Sequence, residues 1–217
     1  MRKTPLVNGQ YYHIYNRGTE KRPIFLDNSD LDRFFEGMIA FNSVKPIGSI
    51  FEYSLPKNKN TAGLGNSIPK LANIIAYSLN PNHFHLILEQ ISDQGIQKFM
   101  HRLSLGYTNF FNLKYKRSGA LFQGRYKAKH INFNSYLLHL SAYINLNNKI
   151  HYYRKGVFYK SGWSEYVKLS KDNSICTSDI ILQQFKNIED YIDFAYYSVQ
   201  NTIELRQDEA LQGLFLE

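Results

Sequence analysis

Two histidines, one tyrosine and one asparagine are the residues of this chain whose types and spacing point to chemistry. His83 and His85 sit in the run Asn80-Pro81-Asn82-His83-Phe84-His85-Leu86-Ile87-Leu88. In a strand, successive side chains point to opposite faces, so the two imidazoles share one face while Phe84, Leu86 and Leu88 share the other. A pair of neutral imidazoles can hold a divalent ion, leaving positions for a third ligand and for substrate oxygens. The same pattern also describes two polar residues on a solvated strand face, and two histidines do not complete a metal site by themselves.

A second segment offers the missing group. Ser135 to Leu146 has the spacing of a helix, with Leu137, Leu140, Ser141 and Ile144 as its packing stripe. His139, Tyr143 and Asn147 recur every four residues and share another face. An unassisted phenol is a poor nucleophile at neutral pH and needs a base or a metal beside it. With a divalent ion held by His83, His85 and the Asn147 carbonyl, a scissile phosphate would be polarised and its developing charge stabilised. Tyr143 would then attack the phosphorus in line and displace a 3′-hydroxyl. The competing readings are plain ones. Tyr143 is one of 17 tyrosines and could simply pack. Asn147 also suits a helix C-cap, and His139 suits a local hydrogen bond better than a metal.

The elements that must position these groups follow from periodicity. Gln10 to Asn16 alternates and reads as a strand. Asp27 to Asp30 offers N-cap residues for a helix from about Leu31 to Asn42, with Phe34, Phe35, Met38 and Ile39 as its apolar stripe. Ile47 to Leu55 reads as a strand, and Pro56 to Lys70 as a loop. Ala72 to Ser78 and His83 to Glu89 are further strands joined at Asn80-Pro81-Asn82. Gly95 to about Lys116 is a long amphipathic helix, and Ala120 to Ile131 is extended. A late helical stretch begins near Asp179. The order suits an α+β ferredoxin-like sandwich with an antiparallel sheet, plus a tyrosine-bearing helix and a C-terminal tail. Helices are expected on one face of the sheet, leaving the other for the site. The expected division is residues 1–170 as the main domain and 171–217 as a helical extension.

Composition bounds the partners. The chain has 217 residues, 43% hydrophobic and 20% charged, in the range of a globular domain. A formal net charge of +8 favours a polyanion. Aromatics reach 15%, and any left on a basic surface can stack on unpaired bases. The single Cys176 excludes an intrachain disulfide and a cysteine-rich zinc site. No signal peptide or run of about 18 apolar residues is evident, so a cytoplasmic protein with no membrane association is expected.

At these residues the sequence resembles the single-tyrosine HUH transposases, an IS200-like domain, and most of all the REP-associated tyrosine transposases. The resemblance runs from about Tyr11 to Tyr166. It is carried by Asn16-Arg17-Gly18, Phe25 through Asp30 to Arg33-Phe34, Leu79 to His85, Phe122-Gln123-Gly124-Arg125-Tyr126-Lys127, Tyr143-Ile144-Asn145-Leu146-Asn147 and Trp163-Ser164-Glu165-Tyr166. The single motifs are weak, but their order and spacing together are specific. The resemblance implies a ferredoxin-like fold, a Mg²⁺ or Mn²⁺ cofactor, and 5′-phosphotyrosine chemistry on single-stranded DNA beside hairpins. It matches Tyr143 to the nucleophile, His83 and His85 to the histidine pair, and Asn147 to the polar third ligand. The pattern usually has Pro after that Asn, where this chain has Asn148. Both a monomer and a homodimer fit.

For DNA contacts, Arg125, Lys127 and Lys129 alternate along the extended segment and are expected on one face as a row for phosphates. Arg17, beside a strand end and a glycine, is a second candidate. Lys114, Lys116 and Arg117 end the long helix, where cations also favour the dipole. The sequence thus points to a DNA nicking and joining transposase. The alternatives are a hairpin-binding module without catalysis and a metal phosphodiesterase in which water attacks.

Overall fold

The computed structural model describes residues 5–48, 50, 69–167 and 174–211. In chain order its elements are β1 (Tyr11–Arg17), a 3-10 turn (Thr19–Lys21), α1 (Asn28–Ala40), β2 (Ala72–Asn80), β3 (His83–Gln90), α2 (Gly95–Lys114), β4 (Lys127–Ile131), α3 (Asn134–Asn145), α4 (Asn147–Ile150), β5 (Lys160–Ser161), α5 (Trp163–Tyr166), α6 (Asp179–Leu182) and α7 (Ile188–Leu211). The strands form one antiparallel sheet in the order β4-β1-β3-β2-β5. This is the expected α+β arrangement, with β1 and β3 side by side at its centre.

Alternation divides the sheet between two cores. Ile14, Phe84, Leu86 and Leu88 face α1 and α2, where they meet Phe34, Met38, Phe99 and Leu103. Ile75 and Ile87 face the other way and pack with Leu137, Leu140 and Ile144 of α3 and with Tyr191, Ala195 and Val199 of α7. A register shift between Ile74 and Ala76 in β2 lets the consecutive Ile75 and Ala76 join the same core. The expectation that only one face is covered is therefore corrected. The amphipathic α3 has its own apolar stripe to bury, and α7 completes that layer. The site is left at one end of the sheet rather than across a bare face.

The strand expected over Ile47–Leu55 lies mostly outside the described residues, and of its described part Ile50 is helical and buried. The loop expected over Pro56–Lys70 lies outside them up to residue 68. The extended stretch expected from Ala120 becomes a strand only at Lys127, because Gly124 takes a φ of +72° and turns the chain first.

The ends of α1 and α2 are tied by charge. Asp27 caps α1 by accepting from the Asp30 backbone N–H. Lys114, in the last turn of α2, donates to Asp27 and Asp30 at 2.8 Å each and to Ser29 at 2.6 Å. The fully buried Asp30 carboxylate also accepts from Tyr115 at 2.8 Å and from the Leu26 N–H at 2.7 Å. A buried carboxylate survives because each oxygen is answered in this way. Lys114 is thus committed to holding two helices together.

Candidate active site

The hairpin between β2 and β3 turns on Pro81-Asn82 alone, which puts His83 at the first position of β3. Three backbone groups brace this turn. The Ile24 and Phe25 N–H groups donate to the Pro81 carbonyl at 2.7 and 3.1 Å, and Gly18 N–H donates to the Asn82 carbonyl at 2.8 Å. Gly18 is required by close approach, since a Cβ there would collide with the Arg22 carbonyl oxygen. The Asn-Arg-Gly strand end thus exists to seat the histidine turn.

His83 and His85 project from the same face of β3 with ring centroids 5.0 Å apart. Each has an orienting partner. Asn82 donates its amide to the Lys21 carbonyl, so its oxygen faces His83 Nδ1 at 2.7 Å. That oxygen can only accept, which puts the His83 proton on Nδ1 and leaves Nε2 bare. His85 Nδ1 meets Nε2 of His13, on the adjacent β1, at 2.9 Å, and one of the two imidazoles donates to the other. Burial is the main force on all three rings. It lowers the His83 pKa to about 4, with His151 adding to the drop and the Asn147 side chain opposing it. It lowers His13 to about 4, with Lys129 adding, and drives His85 well below the ordinary value, with His13 next in effect. All are neutral near pH 7, the form that ligates metals.

Helix α3 brings Tyr143 to this pair. Its ring stands edge-on to His85 with centroids 5.8 Å apart. The helix breaks at Leu146 (φ −106°, ψ 25°), so Asn147 opens the short α4 rather than continuing α3. One turn of spacing survives the break, and the Asn147 amide reaches the Tyr143 carbonyl at 3.5 Å. Asn147 is fully buried with its side chain beside His83, yet its Oδ1 makes no hydrogen bond of good geometry. A buried orphan acceptor costs about 1–3 kcal/mol, a cost that a cation ligated by this oxygen would remove. Among the described residues no three His, Cys, Asp or Glu side chains are grouped to hold a metal. An amide oxygen is therefore the group available to complete a set begun by His83 and His85, and two imidazole nitrogens with a carbonyl oxygen are donors that suit a divalent cation.

His83, His85 and Tyr143 open onto one cleft of about 870 Å³, with Arg17 and Lys127 on its walls. Arg17 is aimed by its Nε donating to Gln123 at 2.6 Å. Lys129 stands further along β4, over the Tyr136 ring at 4.8 Å. Arg125 is not in this row. The turn at Gly124 sends it to a second groove with His101 and Thr108 of α2, so the expected common face of three cations reduces to Lys127 and Lys129. His139 stays out of the cleft, and its bond is not local as expected: it meets Ser198 of α7, 59 residues away, at 2.8 Å.

Several site residues escaped the sequence reading. His13 is one. His151 is another, with its ring 5.3 Å from that of His83. Arg206 of α7 donates to the Tyr143 hydroxyl at 2.9 Å. Asn148, at the position where the family pattern has a proline, donates its amide to the Tyr159 hydroxyl at 3.0 Å. The Trp163-Ser164-Glu165-Tyr166 element proves structural. Tyr166 donates to the Ile75 carbonyl at 2.8 Å, and Glu165 accepts from Tyr77 at 2.9 Å.

Two comparisons with known proteins bear on the family and the fold. Residues 69–147 match the family model described as transposase IS200 like, a span that holds both histidines, Tyr143 and Asn147. A solved structure described as a REP-associated tyrosine transposase bound to a REP hairpin is similar in fold. Its TM-score is 0.52 at 15% identity, covering 77% of this chain and 85% of that one. No curated protein matches the chain. Among the described residues no helix is long and apolar enough to cross a membrane. The resemblance read from the sequence is borne out over residues 69–147, which are similar to the IS200-like transposases, and in the fold, which is similar to that of a solved REP-associated tyrosine transposase.

Proposed function

We propose that this chain is a metal-dependent nuclease and strand transferase for single-stranded DNA with hairpin structure, with Tyr143 as its nucleophile. The observation that carries this reading is the convergence of Tyr143, His83 and His85 on one cleft. The hairpin partner is inferred from the REP hairpin bound in the similar solved structure and from the net charge of +8.

His83, His85 and Asn147 would hold Mg²⁺ or Mn²⁺, which when bound supplies charge stabilisation at a phosphate oxygen. The chain's own residues do the rest. Arg17 and Lys127 hold the strand's phosphates against the cleft walls. Arg206 holds the Tyr143 hydroxyl in place. The Tyr143 oxygen bonds to phosphorus as the bond from phosphorus to the 3′-oxygen breaks. The phenol loses a proton and the departing 3′-oxygen gains one. The 5′-phosphate stays on Tyr143 as a diester, so a later 3′-hydroxyl can reverse the exchange and reseal the strand. Hydrogen-bonded His13 and Asn82 keep the two imidazoles oriented throughout.

The test is an adduct assay. Wild-type protein, Mn²⁺ and a single strand flanked by a hairpin should give a protein–DNA species that survives denaturation. Tyr143→Phe should bind the same strand and give none. Cleavage that persists in Tyr143→Phe would mean a phosphodiesterase using water. Binding without cleavage by wild type would mean a hairpin-recognition module.

A further inference from the structure

We propose that the loop from His151 to Tyr159 is a platform on which unpaired bases of a DNA strand stack as the strand leaves the cleft. This rests on the nuclease reading above. The sequence there, His-Tyr-Tyr-Arg-Lys-Gly-Val-Phe-Tyr, interleaves aromatics with cations. Aromatic faces bind bases of any sequence, and neighbouring cations hold the connecting phosphates.

The geometry gives this pattern a direction. His151 and Tyr153 both line the cleft with Tyr143. Their rings lie near parallel, 15° apart in plane, with centroids at 5.5 Å. Tyr159 follows at 5.8 Å from Tyr153. The series therefore runs from the His83 edge of the site, through His151 and Tyr153, to the surface. Gly156, with φ of +98°, makes the reversal that brings Tyr159 back to Tyr153. Asn148 fixes the outer ring by its bond to the Tyr159 hydroxyl. Tyr152 is 63% exposed and Tyr159 is 40% exposed, large areas for aromatic rings. Tyr152 also sits at φ 51°, a conformation costly for a bulky residue. Arg154 and Lys155 at the loop tip are exposed, and among the described residues neither forms an ion pair. Charge complementarity therefore favours a polyanion over a protein surface, and the ring series favours a strand with its bases free.

The experiment measures binding without metal, in EDTA, to a fluorescein-labelled oligonucleotide carrying a hairpin and a single-stranded flank. Tyr153→Ala and Tyr159→Ala should each weaken binding about tenfold, and Tyr153→Phe, which keeps the ring, should restore it. The salt slope should be unchanged in these variants. In Arg154→Ala/Lys155→Ala it should fall by about 1.4, the loss of two phosphate contacts. A second arm uses wild-type protein, so folding is not at issue. Abasic sites placed one by one through the flank should weaken binding about tenfold at one or two positions. A flat abasic profile, or alanine variants that bind like wild type, overturns the platform. Adduct formation by wild type with Mn²⁺ is scored separately. Adduct with a flat profile sinks the platform alone, and a stepped profile without adduct sinks the nuclease reading alone.

Discussion

The hydroxyl of Tyr143 accepts a hydrogen bond from Arg206 at 2.9 Å, and the same guanidinium lies 5.5 Å from the centre of the tyrosine ring. The two residues belong to α3 and α7, which pack together in the second core. Helix α7 thus reaches the proposed nucleophile directly, and the Arg206 charge adds to the forces keeping His83, His85 and His151 neutral. A hydrogen bond from a charged donor is worth about 1.5–3 kcal/mol. Arg206→Met is expected to slow single-turnover adduct formation roughly tenfold to a hundredfold, with Arg206→Lys between it and wild type, as read from quenched time points on a denaturing gel. Equal rates in all three would show that the contact does not position the nucleophile.

Asn147 carries a second prediction, because its oxygen is buried and unanswered. Asn147→Ala should weaken Mn²⁺ binding by at least about tenfold, measured by calorimetry on protein free of DNA. Its metal-free affinity for single-stranded DNA should stay near wild type, since Asn147 does not line the cleft. Undiminished Mn²⁺ affinity would remove this residue from the ligand set.

Acid stability tests the tie between α1 and α2. The Lys114 ammonium beside Asp27, with Ser29 next, holds the Asp27 carboxyl at about 2, below its unfolded value of about 3.9. The folded state therefore binds fewer protons than the unfolded state between these values. The stabilisation is complete above about pH 4 and is lost as pH falls towards 2. Asp27 is 45% exposed, so solvent screening keeps the effect below about 1 kcal/mol. Asn is an equally good N-cap. Asp27→Asn should thus lower the melting temperature by a few degrees at pH 7 and by less at pH 2.5, a difference readable by circular dichroism. The same deficit at both pH values would assign the effect to something other than charge.

Much of the fold and site is legible in the sequence, and for physical reasons. Alternation places His83 and His85 opposite Phe84, Leu86 and Leu88, and the apolar set is fully buried as that requires. The four-residue spacing of Tyr143 and Asn147 survives even though the helix breaks at Leu146. Long-range partners are not legible. His13 lies 72 residues from His85; alternation places it opposite Ile14, but only the pairing of β1 with β3 brings it to the site. Arg206 is the one cation of α7, but nothing local to that helix says that it turns toward Tyr143. Strand alternation misplaces Arg125 because it cannot be carried back through Gly124, where the backbone leaves the extended region. The covering of the second face is hidden because nothing local to α7 names the helix and strands it packs against.

The most direct test of the central claim is to locate the DNA on the protein. After reaction of wild type with Mn²⁺ and a hairpin-flanked single strand, nuclease trimming and proteolysis, mass spectrometry should find one modified peptide. With trypsin it should span His130 to Lys149 and carry a 5′-linked nucleotide on Tyr143. A nucleotide on any other of the 17 tyrosines, or cleaved strands with unmodified Tyr143 throughout the time course, would contradict the account.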